Sequence, residues 1–248
     1  MQAFRHRIGH YADLPDAVWQ RLEATPHRIR EYPRLHSLVR EGQRLTDVHI
    51  LQRGMAIRKR IVEDGRRQIV NFVLPGDVFD LQALIETEAD HGVEAITPCE
   101  TRLIDRHDFM QAAVSHADFI SALWWAAIQE EALLREHLVL LGQRRAIERV
   151  AHLLIELRRR LLLSGECRDD DIVSLPITRS QIADTLGLSS VHVSRTISEL
   201  KRMKLVRTNR AVEILDPECL AAISGFDQAH LHLGAEPLPQ QWLLRVAE

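Results

Sequence analysis

The chain has 248 residues, enough for two modest domains, and its 46% hydrophobic and 27% charged residues are an ordinary globular composition. Its 32 basic and 35 acidic residues give a net charge of −3, which by itself says nothing about a nucleic-acid partner. No uncharged apolar stretch approaches the about 20 residues that span a bilayer, and the first residues lack the apolar region of a signal peptide. We therefore expect a cytoplasmic protein without a membrane partner.

The three cysteines, Cys99, Cys167 and Cys219, are widely spaced and form no CxxC pair. This spacing indicates neither a disulfide framework nor a four-thiolate metal site. We expect no metal and no cofactor.

Both ends of the chain are expected to be appendages. Residues 1–30 are interpreted as an N-terminal helical lead, with a short helix over 14–22 that has a proline in its first turn. Residues 226–248 are interpreted as a C-terminal extension that exceeds what the preceding domain needs. Its Trp242-Leu243-Leu244 run indicates packing against the rest of the chain.

Short β-like runs alternate with turns over residues 31–115. The clearest pair, 56–62 and 67–74, flanks an Asp64-Gly65 turn, and Asp-Gly between alternating strands is a strong hairpin signal. Many short strands at this spacing predict a small jelly roll or barrel. Residues 78–85 are expected to form a short helix or bend within it.

A long helix is predicted over residues 116–142. Its apolar residues fall on two adjacent stripes, the first comprising Phe119, Leu123, Ala126, Leu133, His137 and Leu140, and the second Ile120, Trp124, Ala127, Leu134, Leu138 and Leu141. A helix that is apolar over two stripes must cover two surfaces. We expect the β-roll to take one and a second copy of the helix to take the other, giving a two-fold homodimer. The alternative is a helix wholly buried in one monomer.

Residues 143–225 are predicted to form a winged helix-turn-helix domain. The apolar residues of 178–200 form one seam only if the chain reverses near Gly187, where glycine tolerates a positive φ. Ser180 is expected to start the first helix, and Ser189 or Ser190 the second. Alternation over 205–215 predicts a small β-hairpin, the wing. An ordinary αα-hairpin is the alternative to a DNA-binding motif.

The second helix of such a motif enters the major groove with its N-terminal part. The recognition helix is predicted over 189–203, and Arg195 is the best candidate for a base contact because its fork matches guanine O6 and N7. Residues 143–210 hold 14 Lys or Arg against eight Asp or Glu, so basic charge is concentrated here. The expected DNA contacts are Thr178, Arg179, Ser189, Ser190, Val191, His192, Ser194, Arg195, Lys201, Asn209 and Arg210.

The order of these parts resembles the Crp/Fnr family of bacterial transcription regulators over about residues 30–225. The motifs are GRRQIVNFVLPGD at 65–77, ITRSQIAD at 177–184 and VHVSRTI at 191–197. The resemblance implies an α+β protein whose β-roll is a sensor derived from a cyclic-nucleotide-binding fold. It further implies that the long helix dimerises and that the winged domain binds a pseudo-palindromic promoter site, with RNA polymerase as a further partner.

The sensor departs from the pattern of the cyclic-AMP-binding members. Such members carry Gly-Glu shortly after the Gly-Asp turn and an arginine for the phosphate some ten residues later, where this chain has Asp80-Leu81 and His91-Gly92. Where they offer Thr-Ser to the adenine, it has Leu134-Arg135. An anion near Asp80 without a fixed cation would be repelled, so cyclic AMP in the usual mode is not expected. The effector is unidentified, and its candidate pocket residues are Asp80, His91 and Arg135.

Two further departures concern other members of the family. No cysteine precedes Cys99, which argues against the iron–sulfur cluster of the family's oxygen sensors. Many members place a glutamate four residues before the recognition arginine, whereas Val191 stands there and would instead touch a thymine methyl. The operator should therefore differ from the best-known consensus of the family.

Other functions stay open beside that of a DNA-binding regulator. A cupin-like metal-dependent enzyme with an appended regulatory domain would need clustered ligands, whereas His36, His49 and His91 are isolated. Haem sensing through a histidine such as His49 or His91, and a signalling adaptor that no longer binds DNA, are further alternatives. We expect no enzymatic activity.

Overall fold

The computed structural model describes residues 1–231, which begin with two short helices, α1 (Gln2–Gly9) and α2 (Asp16–Ala24). Pro15 stands at the cap position just before α2, one position earlier than expected. Phe4 and Trp19, whose rings meet edge to face, are buried in the same core as the strands that follow. The N-terminal lead is therefore part of the core of the β-roll.

Eight strands form the roll, and the first begins before the expected domain start at residue 31. They are β1 (Arg28–Tyr32), β2 (Ser37–Val39), β3 (Asp47–Arg53), β4 (Ala56–Ile61), β5 (Arg67–Val73), β6 (Val78–Phe79), β7 (Gly92–Ala95) and β8 (Cys99–Asp105). Two antiparallel sheets, ordered β1-β8-β3-β6 and β2-β7-β4-β5, enclose the core. The jelly-roll prediction is confirmed.

Two local predictions within the roll are also confirmed. Strands β4 and β5 pair as a hairpin across the Asp64-Gly65 turn, in which Gly65 has a φ of +84°. After β6, Asp80 adopts the left-handed conformation and a short 3-10 helix covers Leu81–Ile85.

Helix α3 (Arg106–Val114) leads into the long helix α4 (Ala117–Gln143), whose two apolar stripes have different surroundings. On the first, which we call the inner stripe, Phe119, Leu133 and Leu140 are buried. On the second, the outer stripe, Trp124 is 63% and Leu138 70% exposed. A helix wholly buried in one monomer is therefore the wrong interpretation.

The C-terminal domain contains four helices and a small sheet. Its elements are α5 (Ala146–Leu163), β9 (Ser174–Leu175), α6 (Arg179–Leu186), α7 (Ser190–Arg202), β10 (Val206–Thr208), β11 (Val212–Ile214) and α8 (Pro217–Ser224). The predicted wing is the hairpin β10–β11, and β9 extends it to a three-stranded sheet. The α+β class with a winged helix-turn-helix is confirmed.

The winged domain packs directly on the roll. One apolar cluster includes Ile57 and Phe72 of the roll together with the buried face of α5 and the core of α6 and α7. Polar contacts fix α6 against β5, because Arg67 donates to Asp184 from Nε at 2.9 Å and from Nη2 at 2.6 Å. The carbonyl of Thr185 lies 3.0 Å from Gln68 Nε2 and 3.0 Å from His137 Nε2. The winged domain is thus held to both the roll and α4.

The last described residues return to α4. A short 3-10 helix covers Gln228–Leu231, and Leu231 packs against Leu133 and Leu163 while Gln129 Nε2 donates to its carbonyl at 2.7 Å. The run Trp242-Leu243-Leu244, for which packing was expected, lies outside the described residues. No helix within residues 1–231 is both long and apolar enough to cross a bilayer.

A buried histidine in this region makes stability depend on pH. Burial, together with the nearby His230 and Arg144, lowers the pKa of His152 from its ordinary 6.5 to about 3. Its side chain is 1% exposed, and Glu136 Oε1, 3.5 Å from Nε2, does not offset the burial. The unfolded chain binds a proton at a pH at which the folded chain does not, so stability falls as pH drops from 6.5 toward 3.

We expect His152 to account for about 1–2 kcal/mol of the stability lost between pH 7 and pH 5. Urea unfolding at both pH values measures this loss, and His152→Phe, which cannot titrate, should reduce it by that amount. The exposed His36→Phe serves as the matched control. An identical pH dependence in wild type and His152→Phe would contradict the assignment.

Candidate nucleic-acid interface

Helix α6 begins at a capping box formed by Thr178 and Gln181, whereas we expected Ser180 to cap this helix. The hydroxyl of Thr178 accepts from Gln181 N–H at 3.1 Å, and the Gln181 side chain accepts from the Thr178 N–H at 2.7 Å. The expectation that Ser180 starts the helix is wrong, because Ser180 is already inside the first turn. The Thr178 hydroxyl, also predicted as a DNA contact, is engaged in holding this helix start.

The turn between α6 and α7 has the predicted geometry. Gly187 ends α6 with a φ of +61°, and Leu188 N–H donates to the Ala183 carbonyl at 3.1 Å. Ser189 then caps α7, its hydroxyl accepting from His192 N–H at 3.2 Å. Because Val193, Ile197 and Leu200 are buried, the opposite face of α7 is turned to solvent.

The solvent face of α7 gathers several of the predicted contacts on one surface. It comprises Ser190, Val191, Ser194, Arg195, Ser198, Glu199 and Arg202. Ser198 and Arg202 were missed in the sequence, although they lie three and seven residues beyond Arg195 and so share its face. Arg195 is exposed and forms no ion pair within residues 1–231, so its guanidinium is available to a ligand.

The remaining predicted contacts surround this face. His192 and Lys201 are exposed on its two flanks, and Arg179 is exposed at the first position of α6. At the tip of the wing, Asn209 and Arg210 are exposed, and Asn209 N–H donates to the Ala211 carbonyl at 3.1 Å. The wing therefore presents an arginine beside the recognition helix.

A second site lies in the roll, where two of the three effector candidates meet. Asp80 and His91 line a cavity of about 420 Å³ between the roll and α4. Arg135 does not line it, and its guanidinium pairs with Glu131 one turn earlier on α4. The cavity also contains Arg58, a fixed cation that was not predicted from the sequence.

Arg58 does not leave a free positive charge in the cavity, because it forms an ion pair with Glu130 of α4. His49, one of the histidines considered as a haem ligand, is buried on β3 with its ring centroid 5.0 Å from that of Phe79. Burial lowers the pKa of His49 and so favours the neutral ring.

The winged domain and the roll both match known families. Residues 148–223 match the Crp-like helix-turn-helix domain, and residues 29–116 match the cyclic nucleotide-binding domain. The transcriptional activatory protein AadR of Rhodopseudomonas palustris is 32% identical over 216 residues, covering 86% of this chain and 87% of AadR. This chain belongs to the Crp/Fnr family of transcription regulators.

Other relatives agree with this Crp/Fnr assignment. The nitrogen fixation regulation protein FixK of Bradyrhizobium diazoefficiens is 37% identical over 169 residues, covering 66% of this chain and 68% of FixK. The solved structure of FixK2 from Bradyrhizobium japonicum superposes with a TM-score of 0.71 at 28% identity, over 82% of this chain and 99% of that one. This Crp/Fnr protein is accordingly a DNA-binding transcription regulator.

Proposed function

We propose that this regulator binds DNA as a homodimer, with α7 of each protomer in the major groove of one half of a pseudo-palindromic site. The observation that carries the proposal is the solvent face of α7, on which Arg195 is exposed without an ion-pair partner among residues 1–231. Arginine on such a face matches guanine O6 and N7. Arg179 at the start of α6 and Arg210 on the wing are suited to phosphates.

The outer stripe of α4 supports the dimer. Ile120, Trp124, Leu134 and Leu138 are large, apolar and exposed. The positions 120, 124, 127, 131, 134, 138 and 141 alternate spacings of four and three, which is the pattern of a coiled-coil seam. A parallel pair of α4 helices would cover this surface and place two reading domains for adjacent half-sites.

Sequence preference follows from the side chains of the same face. Val191 is 62% exposed, and a valine is suited to the methyl group of thymine rather than to a cytosine amine. We therefore propose an operator with a guanine for Arg195 and a nearby thymine for Val191. Because this chain has no glutamate at position 191, the amine of a cytosine in place of that thymine would find no hydrogen-bond acceptor.

We also propose where the protein acts, which partner it has, that it is not an enzyme and how it is controlled. The protein acts in the cytoplasm with RNA polymerase as its partner, has no catalytic activity, and is controlled through the roll cavity by an effector other than cyclic AMP. Within residues 1–231, no group of three or more His, Cys, Asp or Glu side chains could hold a metal ion, which disfavours the cupin-like enzyme. The exposed recognition face disfavours an adaptor that has lost DNA binding.

The test is Arg195→Ala against an operator fragment selected from genomic DNA. We expect about 10- to 100-fold weaker binding to that fragment, because a bidentate arginine–guanine contact contributes roughly 1–3 kcal/mol. Binding to unrelated DNA should change much less, so discrimination between the two falls. Fluorescence anisotropy at several salt concentrations measures both affinities.

The control variant also removes one positive charge, but at a position outside the recognition face. Arg168 lies in the exposed segment between α5 and β9, so Arg168→Ala should bind the operator nearly as wild type does. If Arg195→Ala and Arg168→Ala bind the operator equally well, α7 is not the reading element.

A further inference from the structure

The roll cavity is lined by more carboxylates than cations. Its charged lining consists of Asp80, Asp90, Glu130 and Glu131 against Arg58 and Arg60. Ion pairs join Arg58 to Glu130, Arg60 to Glu41 at 3.1 Å, and Glu131 to Arg135. Among the described residues, no arginine or lysine forms an ion pair with Asp80 or Asp90, so the cavity favours a positive ligand at these two carboxylates.

Asp80 is the strongest feature of this cavity. Its side chain is 0% exposed, and neither carboxylate oxygen accepts a hydrogen bond from the described residues. The nearest basic atom is His91 Nε2, 3.4 Å from Oδ1. A buried carboxylate without donors is costly, and a ligand that supplies N–H groups and a positive charge would relieve that cost.

Polar atoms beside Asp80 also lack partners. His91 Nδ1 lies 2.7 Å from Asp90 Oδ1, and because an ionised carboxylate only accepts, Nδ1 donates to it. His91 Nε2 and Gln82 Oε1 are buried and form no hydrogen bond with the described residues, and the donor Arg58 Nε is likewise unpartnered. Asp80 and Gln82 Oε1 are acceptors that an ammonium group, with three N–H donors and no acceptor, would satisfy.

The rest of the wall determines what kind of ammonium compound fits. Val70, Phe79, Leu81 and Leu134 line the cavity beside the acceptors. We propose that the cavity binds a small organic amine in its protonated form, its ammonium group directed to Asp80 and its apolar body against these side chains. The charge of this ligand class is opposite to that of a cyclic nucleotide.

The position of the cavity links this ligand to dimerisation, an inference that rests on the proposed function. Ala127 and Leu134 belong to the outer stripe of α4 and also line the cavity. Glu131, which occupies the polar position of the same coiled-coil seam, lines the cavity too. A second copy of α4 on the outer stripe would lie over the mouth of the cavity. Ligand binding and dimerisation would therefore strengthen each other.

Isothermal titration calorimetry of the full chain tests the ligand class with three compounds that share a phenyl ring. They are 2-phenylethylammonium, the neutral 2-phenylethanol and the anionic 3-phenylpropionate. We expect the ammonium compound to bind at least about tenfold more tightly than the alcohol, which is the effect of about 1.4 kcal/mol. The carboxylate should show no binding.

Asp80→Asn keeps the size of the side chain and the tolerance for the left-handed conformation, and it should abolish the preference for the ammonium compound. Val70→Phe, which fills the cavity from β5 and leaves the acidic groups in place, should remove binding of the ammonium compound and of the alcohol, and it serves if Asp80→Asn does not fold. Binding of 3-phenylpropionate or cyclic AMP as tight as that of the amine, an unchanged preference in Asp80→Asn, or binding by none of the compounds would each overturn the proposal. Operator binding by the ligand-free protein, measured separately, tests the proposed DNA function independently.

Discussion

Leu138→Glu is expected to give a folded monomer that binds the operator about 10²- to 10⁴-fold more weakly than wild type. Leu138 is 70% exposed on the outer stripe of α4, so the glutamate costs the monomer fold little. In a dimer, the two carboxylates would face each other across the seam and be desolvated without partners. Each monomer would then engage one half-site alone and lose the effective concentration that the second half-site provides.

Sedimentation velocity gives the oligomeric state for this test, and anisotropy with the operator gives the affinity. The matched control is Val114→Glu, which introduces the same charge at a 59% exposed apolar position on α3, away from the seam. It should remain dimeric with wild-type affinity. The dimer proposal fails if Leu138→Glu is as dimeric as Val114→Glu at the same concentration.

Asp77→Ala is expected to lower the free energy of unfolding by about 3–5 kcal/mol, because Asp77 is the carboxylate shared by two buried arginines. Arg160 Nη2 donates to Asp77 Oδ2 at 2.8 Å, and Arg7 forms an ion pair with the other oxygen. The side chains of Arg160 and Asp77 are 6% and 11% exposed. Burial and the nearby Arg160 lower the pKa of Arg7 to about 9, so both disfavour its charged form.

The same carboxylate joins three parts of the chain, since Arg7 lies on α1, Asp77 in the turn before β6 and Arg160 on α5. Its loss should therefore also loosen the winged domain from the roll. Urea unfolding of Asp77→Ala against Asp64→Ala, an exposed carboxylate paired with Arg66, measures the difference. Equal stability of the two variants would mean that Glu156, 3.4 Å from Arg160, suffices as its partner.

The helix-turn-helix and the wing could be predicted from the sequence because their geometry is local. Gly187 at a positive φ, the Ser189 cap and the buried Val193 all follow from residue type and spacing. Within this motif the first cap was predicted wrongly, because the cap of α6 is Thr178 and not Ser180. Thr178 and Gln181 stand three residues apart, which is the spacing of a capping box, and this pattern was in the sequence.

The roll cavity was only partly predictable. Asp80 and His91 could be located because they stand where the resemblance places the ligand residues of the cyclic-AMP-binding members of the family. Arg58 and Glu130 are 72 positions apart in the sequence, and only the packing of α4 on the roll brings them together. Arg135, which was expected in the pocket, pairs with Glu131 one turn earlier on the same helix and does not line the cavity.

The sequence by itself determined the order of the parts, the helix-turn-helix with its wing, the hairpin turns and the two apolar stripes of α4. These features depend on the periodicity of apolar residues and on the conformational preferences of single residues. Both are visible in short stretches of sequence. Only the tertiary structure decided which stripe is buried, which carboxylate Arg7 and Arg160 share, and that Asp80 lies buried without a donor. Such pairings depend on distances between elements that are far apart in the chain. These distances cannot be inferred from residue spacing.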